Sequence, residues 1–146
     1  MTFHESQGNI FALPKGEYVF AHCIATDLQW GAGIAPVMMK QFKASSRWRK
    51  NTNATVYRVG DIGVDESNTG LMVNLFTKSR THGRPSYQAM EQCLVNLRNW
   101  MTTHDRKKLA IPKIGCGLDG LSWPMVREVI GRVFQGTDIV IEVRYL

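Results

Sequence analysis

Three cysteines, Cys23, Cys93 and Cys116, are all that the 146 residues contain, and no two form a C-x-x-C pair. An odd number at such spacings excludes a disulfide framework and a zinc knuckle. No apolar run approaches the roughly 18 residues of a membrane span. The opening Met-Thr-Phe-His-Glu-Ser-Gln-Gly has neither a basic start nor an apolar core. No signal peptide is therefore expected, and the expected compartment is the cytoplasm, or the nucleus in a eukaryote. Internal repeats, low-complexity tracts and Pro/Ser linkers are also missing, and a chain of this length is expected to form one domain over residues 1–146. No metal-ligand cluster stands out, so neither a metal nor a cofactor is expected. No dimer seam is visible, which leaves a monomer as the default.

Acidic residues are the scarcer charge, 12 Asp and Glu against 18 Lys and Arg, for a net charge of +6. Apolar residues make up 44% and charged residues 21%, a globular balance that excludes disorder and coiled coil. The positive excess favours anionic partners such as phosphates or nucleic acid, though many basic proteins bind neither.

The pattern of elements is mixed. Phe3–Ser6 reads as a short strand, followed by turns at Gly8-Asn9 and at 13–16. Tyr18–Ile24 is apolar and bounded by turn residues, so it reads as a buried strand. A short helix is expected over Ile34–Phe42, with Pro36 in its first turn. Thr55–Ile62 and Leu71–Thr77 read as a hairpin, joined by a turn-rich loop from Gly63 to Gly70. From Pro85 to Thr103, Met90, Leu94, Leu97 and Met101 make one helical stripe. Leu109–Pro112 is a short strand. Ser122 looks like the N-cap of a helix over Trp123–Phe134. Ile139–Tyr145 alternates as a final strand. Interleaved strands and helices make an α/β domain with a mixed sheet.

Ligands in such sheets gather at loops leaving the carboxyl ends of strands, and three such loops are unusual. The first runs from Asp27 through Trp30 to Gly31-Ala32-Gly33 and enters a helix. Its glycines allow close backbone approach, and the helix N-terminus favours an anion; otherwise it is only a tight turn. The second is Pro112-Lys113-Ile114-Gly115-Cys116-Gly117-Leu118-Asp119-Gly120. It is no Walker A loop, but its N–H groups suit a diphosphate. Asp119 is either a base or a partner of nearby N–H groups. The third, Thr77-Lys78-Ser-Arg80-Thr-His82-Gly-Arg84-Pro85-Ser-Tyr87, is basic and holds no acid. Crowding by Arg80 and Arg84 and partial burial would favour a neutral, nucleophilic Lys78 amine; the plainer alternative is a solvated basic turn. An acyl-transfer pair of Cys116 with His22 or His82 has no spacing behind it, and a thiol between glycines suits close packing.

Taken together, His22-Cys-Ile24…Gly31-Ala-Gly-Ile-Ala35, Thr77-Lys78-x-Arg80-x-x-x-x-Pro85-x-Tyr87 and Pro112-Lys-Ile-Gly-Cys-Gly-Leu-Asp119 resemble a macrodomain over nearly the whole chain. The likeness is narrower still to the terminal ADP-ribose protein glycohydrolase branch, with its antitoxins that strip ADP-ribose from DNA. The resemblance implies a three-layer α/β/α sandwich around a mixed six-stranded sheet, with ADP-ribose in its cleft. It places Asn9 and Ile10 by the adenine, with Leu146 closing that side. It has Lys113, Ile114, Gly115, Cys116, Gly117 and Leu118 wrap the diphosphate and distal ribose, and Gly31, Ala32 and Gly33 face them. Thr77 joins the ligand-binding set, and Lys78 and Asp119 match the catalytic lysine and aspartate.

Macrodomains commonly carry an acid where Asn9 stands; its amide oxygen can accept the same hydrogen bond without the charge. Lys40, Lys43, Arg47, Arg49 and Lys50 form a basic run with no acid among them, either a solvated face or a contact for a nucleic-acid backbone. The implied activity is removal of terminal mono-ADP-ribose from a protein Glu or Asp ester, a DNA base or O-acetyl-ADP-ribose, through a lysyl–ADP-ribose intermediate. The alternatives are a non-catalytic ADP-ribose reader, which would not need both Lys78 and Asp119, and an ADP-ribose-1″-phosphate phosphatase.

Overall fold

The computed structural model of the protein describes residues 1–31, 33–48 and 55–146. Among them, six strands form one sheet: β1 Thr2–Gln7, β2 Val19–Ala25, β3 Ile62–Ser67, β4 Gly70–Lys78, β5 Lys108–Ile111 and β6 Val140–Tyr145. The helices are α1 Ile34–Gln41, α2 Tyr87–Thr103 and α3 Trp123–Phe134, and Ile10–Ala12 makes a single 3-10 turn. The strands lie in the order β1-β6-β5-β2-β4-β3, and every neighbouring pair is parallel except β3 with β4. This is the mixed six-stranded α/β sheet expected from the sequence.

Side-chain alternation along β2 divides the core into two layers. Val19 and Ala21 join Leu71, Val73 and Leu75 beneath α2 and α3, whereas Phe20 and Ile24 join Met72 and Phe76 beneath α1. Both faces are covered, so the strand reads as a continuous apolar run. The stripe Met90, Leu94, Leu97 and Met101 of α2 is fully buried, and each such side chain contributes about 1.5–3 kcal/mol over an exposed one. Ser86 caps α2 by accepting a hydrogen bond from the Ala89 N–H at 3.0 Å. Ser122 does occupy the N-cap position of α3, but its side chain makes no capping bond; its N–H donates instead to the Tyr87 hydroxyl at 2.9 Å. That bond ties the starts of α2 and α3 together.

The hairpin is displaced from its predicted place. Residues 55–61 are not a strand, and the stretch read as a loop after Gly63 supplies β3, paired antiparallel from Ile62↔Leu75 to Ser67↔Gly70. The physical reason lies in tertiary partners. Asp65 looks like a loop residue, but it is buried in β3, where its carboxylate accepts two hydrogen bonds from Arg47, at 2.7 and 2.8 Å, and one from Trp48 Nε1 at 3.0 Å. Trp48 packs over Gly63, where a side chain would meet its ring. A buried acid with three donors and a glycine under an indole are strand residues here because of what covers them. Among the described residues, no helix is long and apolar enough to cross a membrane.

Candidate active site

The parallel strands β2, β4 and β5 end side by side, and the loops leaving them enclose a cleft of about 500 Å³. Lys78 is the last residue of β4, so its backbone is fixed by the sheet. Its Nζ donates to Asp119 Oδ1 at 2.6 Å and to the Thr81 carbonyl at 2.7 Å. The two charged side chains keep only 11% and 19% of their surface exposed. Arg80 and Arg84 stand exposed to solvent. The hydrogen-bond partners of Lys78 Nζ are acceptors, and the carboxylate among them comes from another loop, 41 residues away.

The glycine loop faces this pair. Gly31 has φ +58°, and a Cβ there would lie 2.7 Å from Thr81 Cγ2, so only a glycine allows the two loops to meet. Gly33 opens α1 without a side-chain cap, and Ile34 and Ala35 of its first turn line the cleft. Opposite, Lys113, Ile114, Gly115, Gly117 and Leu118 line the cleft. Lys113 Nζ lies 4.0 Å from the Tyr145 ring centroid and 6.0 Å from that of Trp123.

Of the residues expected in the site, Gly31, Gly33, Lys78 and Asp119 thus line the cleft together with those five. Ala32 lies outside the described residues. Thr77 is buried in the sheet, and Cys116 is half-buried, its thiol donating to the Ile114 carbonyl at 3.2 Å and pushed up by burial. Asn9, Ile10 and Leu146 do not line the cleft either. Asn9 Oδ1 accepts a hydrogen bond from the Phe11 N–H at 3.0 Å and so caps the 3-10 turn, and Ile10 is buried. Leu146 is 95% exposed, and the pairing of β1 with β6, continued by Gly8 N–H to the Tyr145 carbonyl at 2.7 Å, sets it beside Gly8-Asn9. Arg47, counted in the basic run, is committed to Asp65, while Lys40 and Lys43 are exposed; Arg49 and Lys50 lie outside the described residues.

Cys23 and His82, to which the sequence reading gave no ligand role, also line the cleft, and no spacing signals the clasp between Asp27 and Thr81, 54 residues apart. No Cys–His pair forms at Cys116 and His22. His22 is fully buried with Nε2 2.6 Å from Asn74 Oδ1, and burial lowers its imidazole to about 4. Among the described residues, no three His, Cys, Asp or Glu side chains converge as metal ligands.

No family model matches the chain. The human ADP-ribose glycohydrolase OARD1 is 33% identical over 137 residues, which cover 94% of this chain and 87% of that protein. The macrodomain of Mycobacterium tuberculosis DarG superposes with a TM-score of 0.88 at 16% identity, over 99% of this chain and 98% of that one. Thermosipho africanus DarTG in complex with ADP-ribose gives 0.84 at 18% identity, over 99% of this chain and 42% of that one. Two structures so distant in sequence share the fold alone, but the identity with OARD1 over nearly the full length adds common descent: the chain belongs to the macrodomain family, in the branch that contains OARD1.

Proposed function

We propose that the protein is a monomeric ADP-ribosyl hydrolase that removes terminal mono-ADP-ribose from an acceptor. The observation that carries this is the contact of Lys78 Nζ with Asp119 at 2.6 Å inside the cleft. A module that only holds ADP-ribose needs neither a nucleophile nor a base, and here the two are joined by a path for one proton. The kinship with OARD1 supports the same reading.

In the proposed cycle Asp119 takes one proton from Lys78 Nζ, and the freed lone pair attacks C1″ of the distal ribose. The C1″–acceptor bond breaks with oxocarbenium character, and Asp119 gives its proton to the departing acceptor atom. Nζ now carries ADP-ribose as a covalent lysyl adduct. Water adds to C1″ while Asp119 takes its proton, the C1″–N pair returns to Nζ, and the proton passes back to the amine. One water is consumed, and free ADP-ribose and acceptor leave. The acceptor atom is the oxygen of a protein Glu or Asp ester or an atom of a DNA base. With DNA, exposed Lys40 and Lys43 of the basic run are available to the backbone.

The test is turnover of labelled Glu-ADP-ribosylated protein and base-ADP-ribosylated DNA, with wild type and Lys78→Ala side by side. Release by wild type alone supports the reading, and the faster substrate names the acceptor. No release from either, with tight binding of ADP-ribose, overturns it in favour of a reader.

A further inference from the structure

We propose that Asp27 is a positioning residue that acts on Lys78 through Thr81; as a statement about catalysis, this rests on the hydrolase reading above. Asp27 lies two residues beyond the end of β2. Its carboxylate accepts the Thr81 N–H at 2.9 Å on Oδ2 and the Thr81 hydroxyl at 2.8 Å on Oδ1, and it also accepts the Gln29 N–H at 3.0 Å. The Thr81 carbonyl in turn accepts Lys78 Nζ at 2.7 Å. Thr26 fastens the same junction, its N–H to the Lys78 carbonyl at 2.9 Å and its hydroxyl to the Ser79 carbonyl at 3.2 Å.

The consequence is geometric. Lys78 has a flexible four-carbon stem, and its amine is placed by two acceptors. One of them, Asp119, must move protons during the reaction, whereas the other is a carbonyl whose position is set by Thr81. The turn after β4 is exposed at Ser79 and Arg80, so its own packing does not hold that carbonyl in place. Asp27 does, by gripping the backbone and the side chain of Thr81 at once. An asparagine has one acceptor oxygen where the carboxylate has two, so it cannot receive the Thr81 N–H on one oxygen and the Thr81 hydroxyl and Gln29 N–H on the other. Gly31 leaves room for this clasp, because any Cβ there would meet Thr81 Cγ2. The clasp thus joins the loop facing the ligand to the loop carrying the nucleophile.

The experiment compares wild type with Asp27→Ala, Asp27→Asn, Thr81→Val and Thr81→Ser. Turnover, ADP-ribose affinity by calorimetry, and thermal melting are read for each. The labelling rate of Lys78 with trinitrobenzenesulfonate, followed by mass spectrometry, is read as well. A misplaced reacting group costs about tenfold to a hundredfold. Asp27→Ala is therefore expected to lower kcat by about that factor while KM and the ADP-ribose Kd stay within about threefold, and to change Lys78 labelling by a comparable factor. Thr81→Ser is expected to recover most of what Thr81→Val loses. A kcat at the wild-type level in a folded Asp27→Ala, or losses of kcat and affinity in equal measure, overturns the proposal. If Asp27→Ala fails to melt cooperatively, Asp27→Asn decides by the same criteria. Labelling does not depend on activity. Inactive wild type with labelling altered by Asp27→Ala removes the hydrolase reading and keeps the clasp, and unchanged labelling removes the clasp whether or not the wild type turns over substrate.

Discussion

Lys78 and Asp119 lie 41 residues apart and meet at 2.6 Å, one at the end of β4 and the other in the loop after β5, with β2 between the two strands in the sheet. Removing either partner should have different effects. Lys78→Ala deletes the nucleophile but leaves the cleft walls in place, so turnover should be abolished while ADP-ribose affinity stays largely intact. Asp119→Ala removes the proton carrier from a loop that lines the cleft, so turnover and affinity should both fall. Single-turnover kinetics and calorimetry on the two variants check this. Full activity in Lys78→Ala would sink the covalent mechanism.

Gly115 has φ +72°, and a Cβ there would lie 2.7 Å from Met90 Cε and 2.9 Å from Leu121 Cδ1. Both neighbours are flexible side-chain ends that can shift, so the backbone conformation sets much of the cost, about 1–2 kcal/mol for an L-residue. Repacking Met90 against the filled core adds to it. Gly115→Ala should therefore lower the melting temperature. It should also weaken ADP-ribose binding, since the same residue lines the cleft. A variant with wild-type melting and wild-type affinity would contradict the assigned backbone geometry.

Asp65 anchors the segment after α1 to the edge strand through Arg47 and Trp48. In Asp65→Ala the indole N–H of buried Trp48 loses its acceptor, whereas Arg47, with 41% of its side chain exposed, can turn to water. The loss should be about 1–3 kcal/mol, set mainly by the stranded N–H. Asp65 does not line the cleft, so ADP-ribose affinity should not change. Urea unfolding and calorimetry test the two halves of this statement separately.

Local physics made much of the fold legible. The apolar run of β2 and the four-residue stripe of α2 needed only periodicity, because their burial is uniform along one face. The edge strand β3 was read as a loop because Gly63, Asp65 and Ser67 are loop-forming by propensity, and only Trp48 and Arg47, distant in sequence order, make them strand residues. The site divides in the same way. Lys78, Asp119 and the two glycine loops were visible as motifs at strand ends. The clasp from Asp27 to Thr81 was not, since ordinary residues 54 positions apart carry no spacing signal until the fold joins them. The carboxylate that meets the Lys78 amine is likewise invisible from the basic residues around Lys78, because it comes from another loop.

His22 and Asn74 form a buried polar pair between two parallel strands, with His22 Nε2 2.6 Å from Asn74 Oδ1. The neutral ring donates from Nε2 and leaves Nδ1 with no partner. A proton added at Nδ1 would place an unpaired donor and a charge in the core, which is why burial lowers the imidazole from 6.5 to about 4. In the unfolded chain the ring binds its proton near pH 6.5. Between that value and about 4, the unfolded state therefore carries more protons than the folded one, and stability must fall as the pH is lowered. The stabilising contribution is fully present above pH 6.5. Between pH 7 and pH 5, it should fall by about 2 kcal/mol. Urea unfolding across that range tests this, with His22→Gln as the control: most carboxylates titrate below pH 5, so the variant should show a much flatter profile. Equal slopes for wild type and variant would mean that His22 is not the group that takes up the proton on unfolding.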